Sequence, residues 1–400
     1  MREANDHTVR LGFWTVVSGF LLLALGIIAV IRFTRGIGAV TNLSDQFPWG
    51  LWIGFDVLCG VGLAAGGFAI TATVHILHLD DFKPIVRPTV LTAYLGYLLV
   101  ILGLVFDLGK PWNIWHPIIM WNPHSVMFEV GWCVMLYTTV LTFEFSPVVL
   151  ERFRLHKLLG MVKTLTPVAV VLGVILSTLH QSSLGSLFLI LPHKMHPLWY
   201  SPLLPVLFFV SALAAGLGMT VVESFFSRRV FGRAIETQVL DRLSRASVVV
   251  LSVYLLLRLR DLHVRDALRT LWPLTGEAWM FIAEVGLGVA LPLVLLASER
   301  FRRSPGRLAW AHGAVVLGFV FHRLNVAVTS IEAATGQRYV PAIAEFGVSL
   351  GLVALGMWAF VLACRFFPIF PEKAKEAEPA RDAVPAPIGG TPVAGAESGP

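Results

Sequence analysis

Residues 11–31 read LGFWTVVSGFLLLALGIIAVI, an apolar run without a single charged side chain. A helix of about 20 apolar residues is long enough to cross the hydrocarbon core of a bilayer. The run is followed by Arg32 and Arg35 and not by a small-residue cleavage site, so we interpret it as a permanent helix and not as a cleaved signal peptide. This stretch predicts an integral membrane protein.

Similar apolar runs recur along the 400-residue chain, which is 56% hydrophobic and only 14% charged. They lie at about 52–77, 89–108, 125–145, 164–180, 203–225, 246–259, 278–298, 308–329 and 343–364, and the run at 246–259 is the shortest. Each must be helical, because lipid cannot satisfy an open backbone hydrogen bond. We therefore predict an all-α integral membrane protein with about ten transmembrane helices in two helical bundles.

Lysine and arginine residues indicate the orientation of these helices. With the N-terminus inside, the inside segments hold many more of them than the loops at 32–50, 109–124, 181–201 and 260–277. Cytoplasmic loops carry such an excess. We expect both termini in the cytoplasm, the four loops in the periplasm, and a multi-pass protein of the cell inner membrane surrounded by lipid. The basic residues form no patch for nucleic acid.

The last part of the chain differs in composition from the rest. From Pro371 onward it consists mainly of proline, alanine, glycine and charged residues, which cannot bury enough apolar surface to fold. We predict a polytopic transmembrane domain over residues 1–370 and a disordered cytoplasmic tail over residues 371–400.

Cysteine and histidine are too scattered to hold a metal cofactor. Cys59, Cys133 and Cys364 lie singly in apolar runs, which predicts no metal site, iron–sulfur cluster or structural zinc. A membrane haem needs two facing histidines at matching depth. His75 or His78 could face His312, but no repeated histidine pattern marks a haem bundle, so we expect no haem in this chain.

Polar side chains gather near the predicted outer ends of four neighbouring spans. They are Asp56, Asp107, His124, Ser125, Glu129, His180, Gln181, Ser182 and Ser183. Ionisable groups inside lipid are costly and usually functional. A quinone head group needs hydrogen-bond donors at two carbonyls and takes up two protons on reduction, which histidine and carboxylate side chains can supply. Taken singly, Asp107 could cap a helix or bind Lys110, and His180 could be an interfacial histidine.

The cluster suggests a division of roles within one quinone pocket. We expect Asp56, Glu129 and His180 to carry the proton chemistry. The residues expected to bind the head group are Trp49 and His124 at the mouth, with Ser125, Asp107, Gln181 and Ser182. The other outer tryptophans fit the aromatic belt of a membrane interface. A second polar group comprises Glu284, His312, His322, Arg323, Asn325 and Glu345. It could form a proton path, but we favour structural pairing.

Several motifs follow one another in a recognisable order. They are Phe47-Pro-Trp-Gly-Leu-Trp-Ile-Gly-Phe-Asp56, Val86-Arg-Pro88, Ser125-Val-Met-Phe-Glu129, Phe143-Glu-Phe-Ser-Pro147, Leu179-His-Gln-Ser-Ser-Leu-Gly-Ser-Leu187 and His196-Pro-Leu-Trp199. Together they resemble the membrane subunits of hydrogenase-2-type uptake hydrogenases, within the NrfD/polysulfide reductase membrane-subunit family. The resemblance runs from about residue 36 to residue 371 and is densest before Tyr200.

The resemblance implies a function as well as a fold. It implies a subunit without its own redox cofactor that binds quinone, either menaquinone or ubiquinone, within the first helical bundle near the periplasmic face. A four-cluster ferredoxin-like iron–sulfur subunit would dock there. That partner would deliver electrons from the small and large subunits of a periplasmic [NiFe]-hydrogenase.

Two alternatives remain open at this point. The chain could serve another quinone-linked complex that acts on a sulfur compound, nitrite or a cytochrome, because a shared fold does not reveal the distant substrate. It could also be a secondary transporter, since ten spans with buried ionisable groups fit one. Transporters usually have matching halves and binding sites at mid-membrane. Here the polar cluster lies at one face and the two halves do not look alike.

Overall fold

Ten long helices make up most of the part of the chain that the structure describes. The computed structural model describes residues 12–45, 47–231 and 237–370. The helices are α1 (Phe13–Arg35), α2 (Trp52–His75), α3 (Lys83–Asp107), α4 (Val126–Arg152), α5 (His156–Ser186), α6 (Leu204–Phe231), α7 (Thr237–Val264), α8 (Gly276–Ala297), α9 (Pro305–Thr335) and α10 (Ile343–Phe366). No strand occurs within the described ranges, so the all-α prediction is confirmed. The predicted tail at 371–400 lies outside them.

Short helical turns occupy several of the connections. They are Ile37–Ala39, Asp80–Phe82, Pro111–Asn113, His116–Ile119, Leu187–Ile190, Ala267–Leu271 and Glu299–Arg302. Three of the long helices also contain a widened π-helical turn, at Trp52–Val57 in α2, Gly286–Ala290 in α8 and Asn325–Thr329 in α9. Such turns are rare and often lie at functional sites.

Nine of the long helices in the described part of the chain are apolar enough to cross a membrane, and α7 is the exception. The predicted run at 246–259 lies inside α7, whose 28 residues span about 42 Å. Its mean hydropathy is low because it carries buried polar side chains, among them Ser244, Ser247 and Arg258. These groups face α6, α8 and α9 and not lipid, so composition alone underestimates this helix.

The helices pack as two bundles and a pair. Helices α2 to α5 contact one another in the first bundle, and α6 to α9 do so in the second. Helix α6 also packs against α2 and α5 and joins the bundles. At this junction a side chain on Gly216 would overlap the backbone of Gly66, so two glycines permit the close contact. Helices α1 and α10 pair and lie against α3.

Most helices extend beyond the apolar runs that predicted them. Helix α3 begins at Lys83 and α5 begins at His156, each more than one turn before the predicted run. The added turns carry charged or polar side chains, as expected where a helix leaves the hydrocarbon region. The protein is therefore a multi-pass membrane protein, while the cytoplasmic placement of its termini stays a prediction.

Candidate functional site

The first turn of α4 carries a carboxylate that contacts α5. Helix α4 begins after Ser125, whose hydroxyl caps it by accepting a hydrogen bond from the Phe128 amide at 3.4 Å. This cap places Glu129 at the end of the bundle, where its Oε1 accepts a hydrogen bond from Ser183 Oγ at 2.5 Å. Glu129 is exposed and Ser183 is buried, so the pair connects the bundle surface to its interior.

His180 lies one turn deeper and is completely buried. Its Nδ1 lies 3.1 Å from the hydroxyl of Tyr97 on α3, in a hydrogen bond whose direction depends on the imidazole tautomer. Its Nε2 has no partner among the described residues. The next residue, Gln181, donates from Nε2 to the Val61 carbonyl of α2 at 3.1 Å, but its Oε1 is also unpartnered in the described structure.

More unpartnered polar atoms lie below His180. They are Tyr137 Oη, Ser177 Oγ and Glu144 Oε2, all buried and without a hydrogen bond of good geometry to any described residue, although the Tyr137 and Ser177 hydroxyls lie near one another. Ser177, His180 and Gln181 share one face of α5, because residues three and four apart are neighbours on a helix. Glu144 packs against Gly173, one turn below Ser177. These residues, with Tyr97 and the Glu129–Ser183 pair, are here called the first-bundle polar line.

The line extends about 15 Å along α5, from Ser183 to the level of Gly173, at about 1.5 Å per residue. Buried polar groups in proteins nearly always have a partner, and those without one commonly bind water or a ligand. The first-bundle polar line therefore offers several free hydrogen-bonding atoms to a small polar group and to protons.

Asp56 faces a different pair of helices. It is 8% exposed, its Oδ2 accepts a hydrogen bond from Ser349 Oγ of α10 at 2.8 Å, and it packs on Gly103 of α3. Gly103 lies six residues beyond Tyr97, which is about 9 Å along the helix axis. Asp56 thus lies farther toward the predicted outer face than His180.

Asp107 ends α3 and is accompanied by a buried arginine. Arg32 of α1 donates from Nε to the Phe106 carbonyl at 2.7 Å and from Nη2 to the Leu108 carbonyl at 2.6 Å. The cation held at this helix end is therefore Arg32, whereas the sequence suggested Lys110. One carboxylate oxygen of Asp107 is buried and has no hydrogen-bond partner in the described ranges.

The remaining predicted residues lie at the edge of the first bundle. Trp49 is half-buried and meets Phe188 edge to face, with ring centroids 5.7 Å apart. His124 is exposed and Ser182 is half-buried. The structure thus brings Glu129, His180 and Gln181 into one line and places Asp56 and Asp107 beside α1 and α10. That all of them line a single quinone pocket remains a prediction.

The second polar group is paired around Glu284, as the sequence analysis favoured, but His322 Nε2 and the Nε and Nη1 atoms of Arg323 are buried without a hydrogen-bond partner among the described residues. Glu284 Oε1 bonds His322 Nδ1 at 2.8 Å, and its Oε2 accepts from Trp199 Nε1 at 2.8 Å and Asn325 Nδ2 at 2.7 Å. Arg323 has no carboxylate partner among the described residues. Its guanidinium instead lies 3.6 Å from the ring centroid of Phe208 and donates to the Phe208 carbonyl and the Ser211 hydroxyl.

Two members of the predicted second group lie apart from Glu284. His312 contacts Ser247 at 3.3 Å and the Leu308 carbonyl at 2.9 Å. Glu345 belongs to α10, where it accepts hydrogen bonds from the Tyr339 hydroxyl and from two backbone amides. Burial and the hydrogen bond to Glu345 raise the pKa of the Tyr339 phenol.

Sequence reasoning missed Tyr97, Tyr137, Glu144 and Ser177. Glu144 was visible as a carboxylate inside an apolar run, and that signal could have found it. The tyrosines gave no signal, since tyrosine is common in apolar spans. In the described residues, no three histidine, cysteine, aspartate or glutamate side chains come together as a group that could hold a metal ion.

Comparison with known proteins gives consistent matches over most of the chain. The family described as "Polysulphide reductase, NrfD" matches residues 39–333. A Nitratidesulfovibrio vulgaris chain named only "Protein" is 39% identical over 88% of this chain and 93% of its own length. The "Probable Ni/Fe-hydrogenase 2 b-type cytochrome subunit" of Escherichia coli K12 is 32% identical, covering 89% of this chain and 92% of that protein. The "Menaquinone reductase, integral membrane subunit" of N. vulgaris is 28% identical, covering 89% and 91%.

Proposed function

Because this chain belongs to the polysulphide reductase NrfD family, we propose that it is the quinone-reactive membrane subunit of a periplasm-facing [NiFe]-hydrogenase complex. Hydrogen oxidation at the large subunit yields two electrons and two protons. The electrons pass through the small subunit and a four-cluster ferredoxin-like iron–sulfur subunit to quinone bound by this chain. Quinone takes up two electrons and two protons and leaves as quinol.

The first-bundle polar line is the observation that carries this proposal. His180 Nε2 and Gln181 Oε1 are unpartnered polar atoms at the depth where a head group entering from the outer side would lie. His180 Nε2 donates to a quinone carbonyl in one tautomer and accepts from a quinol hydroxyl in the other, so it can hold or pass a proton. The Glu129–Ser183 pair connects this position to the bundle surface and supplies the protons.

Asp56 and Asp107 form the second wall of the proposed pocket. Their carboxylates lie nearer the outer end than His180, beside α1 and α10. The head group would lie between this wall and His180, with Trp49 and His124 at the mouth and Ser125 and Ser182 at its rim.

The choice of a hydrogenase partner rests on the similarity to the E. coli protein named as a hydrogenase 2 subunit. A second candidate is a complex that reduces menaquinone with electrons from a donor other than hydrogenase. The name of the N. vulgaris relative, which specifies menaquinone reduction and no hydrogenase, supports this alternative. The quinone chemistry is the same in both, and only the docked electron donor differs.

The test replaces His180 by alanine in the assembled complex. We expect hydrogen-dependent quinone reduction to fall by about 10²-fold or more, the usual contribution of a positioned acid–base group. Hydrogen-dependent reduction of an artificial dye should persist, because the dye draws electrons before they reach this subunit. His263→Ala, which changes an exposed histidine at the end of α7, is the matched control. Quinone reduction at the parental rate in an assembled His180→Ala complex would refute the site.

A further inference from the structure

A cleft opens where α4 and α10 end side by side, away from the proposed quinone site. It has a volume of about 550 Å³ and is lined by Arg152, Phe153, Phe366 and Phe367. Phe367, the residue that follows α10, connects the two helix ends, because its ring lies 6.0 Å from the ring of Phe145 in α4. Ligand sites in proteins commonly have volumes of roughly 300–1,000 Å³.

The cleft has an excess of positive charge. Arg152 is exposed and has no hydrogen-bond or ion-pair partner within the described ranges. The neighbouring carboxylate, Glu151, is already bound by Arg87 at 2.8 Å and by Lys163 at 3.7 Å. Arg365 is also exposed at the end of α10. An anion at the cleft would therefore find a guanidinium that no carboxylate in the described ranges neutralises.

The rest of the cleft is apolar and aromatic. Phe153 is 66% exposed and Phe366 is 62% exposed, so both rings lack cover from the protein. Phe153 follows the last residue of α4, and Phe366 is the last residue of α10. Both rings therefore lie at the level where lipid head groups meet acyl chains. Basic pockets between transmembrane helices at this level suit anionic lipid head groups.

We propose that this cleft binds one anionic phospholipid, with its phosphate against Arg152 and an acyl chain over Phe153, Phe366 and Phe367. The C-terminal segment at 371–400, which follows directly in the chain, is the competing occupant. Its charged residues are Lys373, Lys375, Arg381, Glu372, Glu376, Glu378, Asp382 and Glu397, giving three positive and five negative charges. It would fit the charge of the cleft, but it contains no aromatic residue to pack on the phenylalanine rings.

The experiment titrates the delipidated full-length protein with lipid and counts bound molecules by native mass spectrometry. The probes are phosphatidylglycerol and phosphatidylcholine with identical acyl chains. We expect phosphatidylglycerol to bind more tightly, and Arg152→Gln to weaken that binding about five-fold, since one basic side chain near a membrane surface contributes about that factor. Arg229→Gln, which removes another exposed cation outside the cleft, should leave binding unchanged.

Phe366→Ala provides a second variant that keeps every charge. Phe366→Ala should weaken the binding of both lipids by a similar factor. Inorganic phosphate should not compete with either lipid. Three results would overturn the proposal: equal losses in Arg152→Gln and Arg229→Gln, no loss in either, or a several-fold gain in lipid affinity when the chain is ended after Phe370. The last result would identify the C-terminal segment as the occupant.

Discussion

Replacing Tyr97 by phenylalanine tests the first-bundle polar line through a single atom. The change removes the hydroxyl that lies 3.1 Å from His180 Nδ1 and keeps the ring, which meets the Tyr137 ring with centroids 4.7 Å apart. Burial and packing are therefore preserved, and only the hydrogen bond that fixes the His180 imidazole is lost. If His180 acts on quinone, its orientation and tautomer should become less well defined.

The magnitude follows from the value of one buried hydrogen bond. Such a bond contributes about 0.5–1.5 kcal/mol net, and the nitrogen left without a partner adds to the cost. A loss of about 1–1.5 kcal/mol in transition-state stabilisation corresponds to a fall of about 5- to 13-fold in hydrogen-dependent quinone reduction. Dye reduction should not change.

The matched control is Tyr94→Phe on the same helix. Tyr94 is half-buried and stacks on Phe145 at 5.5 Å, away from His180. The assay compares both variants and the double variant Tyr97→Phe with His180→Ala. Because the two residues act together, the Tyr97 change should have little effect once His180 is absent. A fully additive double variant, or equal losses in Tyr97→Phe and Tyr94→Phe, would refute the coupling.

Four further predictions concern the second wall, the bundle contact, the topology and haem. Asp56→Asn should abolish quinone reduction. Ser349→Ala, which removes only a hydrogen bond to that carboxylate, should lower the rate of quinone reduction less. The measurement is the quinone reduction rate of the two assembled complexes. Gly216→Val should lower the free energy of unfolding by about 1–3 kcal/mol through overpacking against the facing helix, measured by unfolding in detergent. Reporter fusions at Arg154 and Arg303 should give cytoplasmic signals, and periplasmic signals would reverse the orientation. The purified chain should also show no stoichiometric b-type band in a reduced-minus-oxidised spectrum.

Hydropathy could predict most of the fold, because a helix that faces lipid must present apolar side chains to it. Helix α7 shows where the rule weakens. Arg258 is completely buried on it and donates to the Leu198 carbonyl at 2.8 Å, so the helix is polar inside the protein and not toward lipid. The composition of a helix does not reveal whether its polar side chains face the protein interior or the lipid.

The candidate site could be predicted only in part. Glu129 and His180 stand out because ionisable groups are rare in apolar runs, and the structure places them on one line. The partner of Asp56 could not be foreseen, since Ser349 lies 293 residues away in the sequence and only the packing of α10 brings it close. Tyr97 was missed for the same reason, because its role depends on facing His180 across two helices.

The widened turns in α2 and α9 face one another across the junction of the two bundles. A side chain on Gly54, within the first turn, would meet the Cβ of Ala327, within the second, at 3.2 Å. A π turn holds one residue more than an α turn, so deleting one residue within it would restore an ordinary α-helix and leave the flanking helix in register. Asp56 lies in the first turn and Asn325 in the second, so the side chains displaced would be those that contact Ser349 and Glu284. A one-residue deletion at either turn should therefore keep the helix and lose the contact that the turn provides.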